Sequence, residues 1–149
     1  MTFFEDVKVG TRYLVGTYTV SREEAIEFAN KWEPQPYHVD EARALASPYG
    51  GLTLSSLHLF AICTRLFLLQ EHTLAVLGMI GKDEVRFPHA ARPGEELAYH
   101  TKYVAKRLSR TRPDRGIVTL RDTLSNPTGG VVLSQKVTLL VSRRSQGPL

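Results

Sequence analysis

The stretch LTLSSLHLFAICTRLFLLQ, residues 52–70, is apolar on nearly every side when it is drawn as a helix. A helix that is hydrophobic all round is usually buried. The pattern therefore predicts a central helix that the rest of the chain covers. His58 and Arg65 interrupt the apolar run, which is also too short to cross a bilayer.

Residues on both sides of this stretch are predicted to form the strands that cover the central helix. Alternating apolar and polar positions, separated by turns rich in proline and glycine, predict strands over residues 11–20, 75–87, 95–109, 116–125 and 131–142. An antiparallel sheet wrapped around one helix buries that helix with few connections. We therefore expect one α+β domain over residues 1–149, with a frayed tail from residue 145.

Between the first strand and the central helix, two further helices are expected. Ser21 and Glu24 form the pattern of a capping box, which predicts a helix from Ser21 to Glu33. The helix ends there because Pro34 disfavours the helical conformation in the residue before it. Asp40 is a candidate cap for a second, short helix over residues 41–46.

Composition limits the possible functions. The chain of 149 residues carries a net charge of +4, which is weak evidence for nucleic-acid binding. Cys63 is the one cysteine, so no intrachain disulfide and no cysteine metal cluster is expected. Together with the lack of a recognisable leader, this predicts a protein of the cytoplasm.

The segment Trp32-Glu33-Pro34-Gln35-Pro36-Tyr37-His38 carries the candidate chemistry. Its two prolines predict a stiff, non-helical connection that holds Glu33 and His38 on one wall of a cleft. A fixed carboxylate and imidazole can remove a proton, return it, or activate a water. The alternative is a rigid connector in which His38 binds a backbone carbonyl and Glu33 lies in solvent.

The start of the central helix is a second candidate site. Ser55 and Ser56 lie where a helix presents unpaired amides and the positive end of its dipole, which can stabilise an oxyanion. A plain helix cap or small-residue packing explains the serines equally well. His58 and Thr64 either face a cleft or are ordinary polar groups in a helix; the second interpretation is favoured for His58.

The order of elements and motifs resembles the MaoC-like dehydratases, the (R)-specific enoyl-CoA hydratase branch of the hot-dog fold. The resemblance covers nearly the whole chain and is carried by residues 4–10, 33–40, 49–52, 85–87, 92–95 and 107–120. It implies a hot-dog fold, in which an antiparallel sheet wraps around a long central helix.

The resemblance also implies roles for individual residues. In the family an Asp stands five residues before the motif histidine, so the implied catalytic pair is Glu33 and His38, with a carboxylate one methylene longer. Ser56 stands where the family often has a glycine whose amide binds the thioester oxygen. Thr64 falls where a hydroxyl often supports the catalytic carboxylate. The candidate substrate-binding residues are Gln35, Gly51, Ser55, Ser56 and Thr64.

The implied function is hydration or dehydration across the 2,3 double bond of an acyl-CoA or acyl-carrier thioester. Coenzyme A would enter as part of the substrate, with no separate cofactor and no metal. A basic set could meet its phosphates, namely Lys102, Lys106, Arg107, Arg110, Arg112 and Arg115. The resemblance further implies a homodimer, or a higher homo-oligomer of dimers, with no nucleic-acid or membrane partner.

Two alternatives remain at this point. The hot-dog fold also hosts thioesterases, since fold alone does not set chemistry. The chain could instead be an acyl-thioester-binding protein with impaired catalysis, which the departures at Glu33 and Ser56 keep open.

Overall fold

Five strands form one antiparallel sheet in the order β1-β3-β4-β5-β2. The structure is a computed structural model that describes residues 1–145. The strands are β1 (Arg12–Thr19), β2 (Val76–Arg86), β3 (Glu96–Leu108), β4 (Arg115–Ser125) and β5 (Val131–Ser142). Each predicted strand is confirmed, with ends that differ by one residue or less. Apart from Ser145, the predicted tail lies outside the described residues.

The helices lie before the four long strands. They are α1 (Arg22–Trp32), α2 (Pro36–Val39), α3 (Glu41–Leu45) and α4 (Ser56–Leu69), and a single 3₁₀ turn, Phe4–Asp6, precedes β1. The prediction was wrong at two of these helices. Residues 36–38 are helical rather than non-helical, and residues 52–55 have no regular secondary structure rather than being part of the central helix.

Both differences have a local cause. Pro36 occupies the first position of α2, where its fixed φ suits a helix and its missing N–H leaves no bond unmade. Ser55 is the N-cap of α4, with φ −58° and ψ 140°, and its side chain accepts a hydrogen bond from the Leu57 N–H. A capped start at Ser56 leaves residues 52–55 outside the helix.

The core lies between α4 and the inner face of the sheet. Leu59, Ile62 and Phe67 of α4 are buried in one cluster with apolar residues of β3, β4 and β5, and Val76 and Val85 of β2 pack against it. The opposite face of α4 is open, because Leu68 and Leu69 are 58% and 66% exposed. The expectation of a helix buried on all sides was therefore wrong for a single chain.

The N-caps of α1 and α3 agree with the sequence in part. Ser21 Oγ accepts from the Glu24 N–H at 3.1 Å, as the capping box predicts. The second bond of the capping box would run from the Ser21 N–H to the Glu24 carboxylate. Instead, this carboxylate accepts from the Tyr18 hydroxyl at 2.8 and 3.0 Å. Asp40 caps α3 as predicted, by accepting from the Arg43 N–H at 3.0 Å.

Candidate active site

The side chains of Glu33 and His38 point toward each other across the bend between α1 and α2. Glu33 is the C-cap of α1, where its N–H donates to the Ala29 carbonyl at 2.8 Å. His38 lies on the buried side of α2, and its imidazole is 6% exposed. Glu33 Oε1 and His38 Nε2 are 3.5 Å apart. The bend thus brings a carboxylate and an imidazole to one point.

A backbone carbonyl fixes the orientation of the His38 ring. His38 Nδ1 lies 2.7 Å from the Thr53 carbonyl oxygen and 3.2 Å from the Thr53 hydroxyl. Because a carbonyl only accepts, Nδ1 carries the hydrogen, and Nε2 of the neutral ring is left as an acceptor facing Glu33. The carbonyl contact of the rigid-connector alternative is therefore present, but the Glu33 carboxylate is held rather than free in solvent.

The side chain of Ser55 holds Glu33 in this position. Ser55 Oγ donates to Glu33 Oε2 at 2.5 Å and accepts from the Leu57 N–H at 3.2 Å. Ser55 is 1% exposed, so water does not compete for either bond. With Oε2 occupied by the hydroxyl, the second oxygen, Oε1, faces His38.

Ser56 places a backbone donor beside the pair. It is the first residue of α4, and among residues 1–145 its N–H has no hydrogen-bond partner. A cleft of about 220 Å³ is lined by Glu33, His38 and Ser56 together. The rest of its wall is mainly apolar and aromatic: Tyr37, Tyr49, Thr53, Leu54, Leu59, Phe87, His89, Ala90, Ala91 and Val132. The cleft therefore combines a carboxylate, an imidazole and an exposed amide.

The remaining substrate-binding candidates lie elsewhere. Gln35 is exposed, and it is its backbone carbonyl that accepts from the His38 N–H. Gly51 lines a neighbouring open cavity of about 530 Å³ together with Arg92, whose guanidinium binds the Tyr49 carbonyl and so braces this loop. Neither residue lines the cleft that holds Glu33 and His38.

Thr64 is separated from the carboxylate. It lies eight residues beyond Ser56 on α4, which is about 12 Å along the helix axis. Its side chain lines a different cavity, between α4 and the sheet. The hydroxyl that contacts the Glu33 carboxylate belongs to Ser55, not to Thr64.

Two features of the site escape sequence reasoning. Thr53 contacts His38 mainly through its backbone carbonyl. Because every residue has this group, the residue type at position 53 does not indicate the contact. The bond between Ser55 and Glu33 joins residues 22 positions apart, and no periodic pattern reveals it. By contrast, Asp122 and Gln135 occupy inward positions of β4 and β5, and their polarity at apolar positions is a readable signal.

His58 lies in the core rather than in the cleft. Its ring stacks on Phe28 with centroids 4.2 Å apart, and its Nε2 is 3.6 Å from Glu24 Oε1. Burial lowers the pKa of His58, and within the described chain its buried Nδ1 has no hydrogen-bond partner. His58 lies away from the cleft, as the favoured interpretation expects, but it is not a fully satisfied polar group, because its Nδ1 has no partner within the described chain.

Two of the six basic residues considered for phosphate binding are already engaged. Lys106 donates to the Phe4 carbonyl at 3.3 Å, and Arg115 pairs with Asp114 at 2.9 Å. Over residues 1–145, no three histidine, cysteine or acidic side chains are grouped as metal ligands would be. No helix in that part of the chain has the length and hydrophobicity of a membrane span.

A family model described as the MaoC like domain matches residues 6–124. The chain belongs to the MaoC-like dehydratase family. A MaoC-like dehydratase from Rhodospirillum rubrum is 37% identical, with a TM-score of 0.90, over 98% of this chain and all of that one. Among curated proteins no sequence match is found.

More distant solved structures share the fold. The (R)-hydratase PhaJ1 from Pseudomonas aeruginosa is 15% identical, with a TM-score of 0.75, over 99% of this chain and 92% of that one. A Mycobacterium tuberculosis protein described as having a double hot-dog fold is 17% identical, with a TM-score of 0.77. The match covers 99% of this chain and 46% of that one. The expected α+β hot-dog fold of the MaoC-like chain is confirmed.

We predict that Ser55 and Glu33 act as a unit in the stability of the MaoC-like fold. Ser55→Ala should lower the free energy of unfolding by more than the roughly 1 kcal/mol of an ordinary N-cap, because it also leaves a carboxylate unpaired. In a double-mutant cycle with Glu33→Ala, the coupling energy should reach about 1 kcal/mol. Urea denaturation followed by circular dichroism measures all the terms.

The matched control is Ser21→Ala, which removes the N-cap of α1 but no contact to Glu33. Ser21 and Glu33 lie at opposite ends of that helix, so their effects should add to within about 0.5 kcal/mol. Equal coupling energies for the two serines would contradict the positioning of Glu33 by Ser55.

Proposed function

We propose that this protein adds or removes water across the 2,3 double bond of an acyl-CoA or acyl-carrier thioester. The observation that carries the proposal is the 3.5 Å separation of Glu33 Oε1 and His38 Nε2 in a cleft that is also lined by Ser56, whose N–H has no partner among residues 1–145. The family membership supports hydratase or dehydratase chemistry in general. The substrate and the residue roles below are our own inference.

The pair is arranged to hold a water. A carboxylate oxygen and the Nε2 of a neutral imidazole are both acceptors, so one water can donate one hydrogen to each. The Thr53 carbonyl and the Ser55 hydroxyl keep these acceptors turned toward each other. Such a water has its lone pairs directed away from both groups, toward a β-carbon in the cleft.

The water supplies the proton that the reaction adds. One member of the pair takes a proton from the water as the water oxygen bonds to the β-carbon and the double-bond electrons move to the α-carbon and the thioester carbonyl. That proton then passes to the α-carbon, directly or after transfer between Oε1 and Nε2, and both groups are again acceptors. Dehydration is the same sequence in reverse.

The Ser56 amide has a role in stabilising negative charge. As the α-carbon becomes nucleophilic, charge develops on the thioester carbonyl oxygen. A free N–H at a helix N-terminus stabilises that oxygen. Because a backbone group makes this contact, a serine supplies it as well as the glycine that is frequent in the family.

Coenzyme A, or the phosphopantetheine of a carrier protein, would be part of the substrate, and we propose no other cofactor. Of the basic set, the residues without a contact described above are Lys102, Arg107, Arg110 and Arg112, and we retain these as candidates for phosphate contacts. The single cysteine is consistent with a reducing compartment, so we propose the cytoplasm as the location.

Glu33→Gln and His38→Ala should each lower the rate of crotonyl-CoA hydration by roughly 100-fold or more, the usual contribution of a general acid or base. Each change removes a proton-transferring group. Loss of absorbance of the conjugated thioester measures the rate. The controls are Glu27→Gln and His72→Ala, which change exposed residues outside the cleft and should keep wild-type activity.

The same assay separates the alternative functions. Release of free thiol from crotonyl-CoA without hydration would indicate a thioesterase. Binding with neither reaction would indicate an acyl-thioester-binding protein. Full hydration activity in both Glu33→Gln and His38→Ala would show that the pair is wrongly assigned.

Glu33→Asp should also lose about 100-fold in hydration rate, although it restores the residue that the family pattern carries. The shorter side chain cannot reach Ser55 Oγ and His38 at once from this backbone position, and a misplacement near 1 Å has a cost of that order. Steady-state kinetics on crotonyl-CoA checks this. Equal or higher activity of Glu33→Asp would contradict a site adapted to glutamate.

We also propose that two copies of the chain pair along β2, as a homodimer or within a larger homo-oligomer of dimers. This strand is an edge of the sheet and carries exposed apolar side chains: Leu77, Met79 and Ile80, each at least half exposed. An uncovered apolar edge favours strand pairing with another chain. The chain also matches less than half of a double hot-dog protein.

The oligomer can be tested at Ile80. Ile80→Lys places a charge on the proposed interface and should convert a dimer into a monomer, as measured by light scattering after size-exclusion chromatography. Leu14→Lys is the matched control, because Leu14 is 52% exposed on β1, the other edge of the sheet. A wild-type monomer, or a dimer that survives Ile80→Lys, would contradict pairing along β2.

A further inference from the structure

A second cavity lies between α4 and the inner face of the sheet. It has a volume of about 180 Å³, and it is lined by Cys63, Thr64 and Phe67 of α4. Most of its sheet side is apolar, but one part of the floor is not: Lys82, Asp122 and Gln135 reach it. A polar floor in an apolar cavity needs an explanation, because buried polar groups are costly unless they are bonded.

The floor is an ordered row of side chains on adjacent strands. Thr101 of β3 stands opposite Asp122 of β4, which in turn stands opposite Gln135 of β5. Thr101 Oγ1 donates to Asp122 Oδ1 at 2.8 Å, and Gln135 Nε2 donates to Asp122 Oδ2 at 3.0 Å. All three residues are at most 4% exposed. Both carboxylate oxygens of Asp122 are thus occupied by protein donors.

Lys82 of β2 ends the row, and it retains hydrogen-bonding capacity. Its Nζ donates to Gln135 Oε1 at 3.1 Å and lies 5.1 Å from the centre of the Phe60 ring. An ammonium group has three donors, and over residues 1–145 Lys82 makes this one hydrogen bond. Burial lowers the pKa of Lys82 and raises that of Asp122, as expected for groups removed from water. What the floor offers a ligand is therefore a donor.

The cavity is aligned with the Glu33–His38 cleft along α4. Ser56 and Leu59 line the cleft, while Cys63, Thr64 and Phe67 line the cavity. Ser56, Leu59, Cys63 and Phe67 follow a helical spacing of three and four, so they share one face of α4, and Thr64 borders that face. From Ser56 to Thr64 the helix advances about 12 Å. An extended zigzag chain with carbon–carbon bonds of about 1.5 Å advances roughly 1.25 Å per bond, so an acyl chain of roughly ten carbons spans that distance.

Phe60 lies between the two spaces. Its ring meets Phe87, a residue of the cleft wall, edge to face with centroids 5.7 Å apart. On the other side it lies beneath Lys82, a residue of the cavity. The cleft and the cavity share no lining residue, so an acyl chain held at the cleft would have to pass this ring to reach the Lys82 ammonium.

We propose that the cavity receives the far end of the acyl chain and that Lys82 recognises an uncharged oxygen, a hydroxyl or a carbonyl, on it. The proposal rests on the thioester chemistry proposed above. The charges around the cavity determine whether the ligand oxygen is neutral or charged. Lys82 and Asp122 have opposite charges and are connected through Gln135, so their charges already balance. A ligand carboxylate would add an unbalanced charge to a mostly apolar space beside Asp122, whereas a neutral acceptor uses the remaining donors of Lys82 without one.

The test compares matched substrates on the wild-type protein. Enoyl-CoA thioesters of six, eight and ten carbons are assayed for hydration, each unsubstituted, with a terminal hydroxyl, or with a terminal carboxylate. At one chain length the hydroxyl should raise kcat/KM about tenfold over the unsubstituted chain, the effect of one net hydrogen bond to a charged donor. The carboxylate should give no such gain.

Lys82→Met removes the donor and keeps the length of the side chain, so it should abolish the preference for the hydroxylated substrate. Lys136→Met is the matched control, because Lys136 neighbours Gln135 on β5 but points to the other face of the sheet. It should retain the preference. Since the readout is a ratio of two substrates on one protein, partial loss of folded enzyme cancels. If Lys82→Met does not fold, Lys82→Gln is the replacement, with a reduced preference expected.

The outcomes separate this proposal from the proposed function. No hydration of any thioester defeats the function itself, and the preference with it. Hydration of all substrates with equal kcat/KM, an unchanged preference in Lys82→Met, or a preference for the carboxylate each overturns the role of Lys82 alone. A preference for the hydroxyl that Lys82→Met removes and Lys136→Met keeps supports it.

Discussion

The two hydrogen bonds of the Ser55 side chain connect the fold of this protein to its candidate chemistry. The hydroxyl accepts from the Leu57 N–H, which fixes the start of α4, and it donates to Glu33, which fixes the carboxylate. The next residue, Ser56, carries the free N–H of the cleft. The carboxylate and the amide donor are therefore placed by neighbouring residues of one backbone, and their separation cannot change without loss of the cap.

This connection shows how the carboxylate of a glutamate is held in place at position 33. A longer side chain has an extra rotatable bond, and ordering it has an entropic cost. Three constraints reduce its freedom before any substrate binds. Glu33 is the C-cap of α1, Pro34 restricts its backbone, and Ser55 binds one of its oxygens. The departure from aspartate is thus accompanied by a buried hydroxyl that holds the longer carboxylate in place.

The sequence predicts most of the fold because its main signals are local. Strand alternation and turn residues give the sheet, and Ser21, Asp40 and Pro34 give the limits of the helices near the site. The burial of α4 was overestimated because hydrophobicity alone does not distinguish packing within one chain from packing against another. The helical turn at Pro36 was missed because proline breaks a helix in its interior but starts one at its first position.

The candidate site could be predicted only as a set of residue types. Glu33 and His38 are close in sequence, so a rigid bend between them was enough to suggest that they meet. The contacts that orient them come from Thr53 and Ser55, and these depend on how α4 enters the core. Thr64 shows what prediction from residue types misses. Helical spacing puts Thr64 near the same face of α4 as Ser56, but it lies too far along the helix axis to reach the Glu33 carboxylate.

The row from Thr101 to Gln135 is not explained by stability. The inward positions on either side of Asp122 in β4 are the buried leucines Leu120 and Leu124. A third apolar residue between them would pack without the cost of burying a carboxylate, and such replacements are often neutral or stabilising. The fold therefore keeps a buried carboxylate at a position where an apolar residue would also pack, and this carboxylate lines the cavity beside α4. One rigid helix fixes the distance between the two polar regions, so a molecule that contacts both must match that distance.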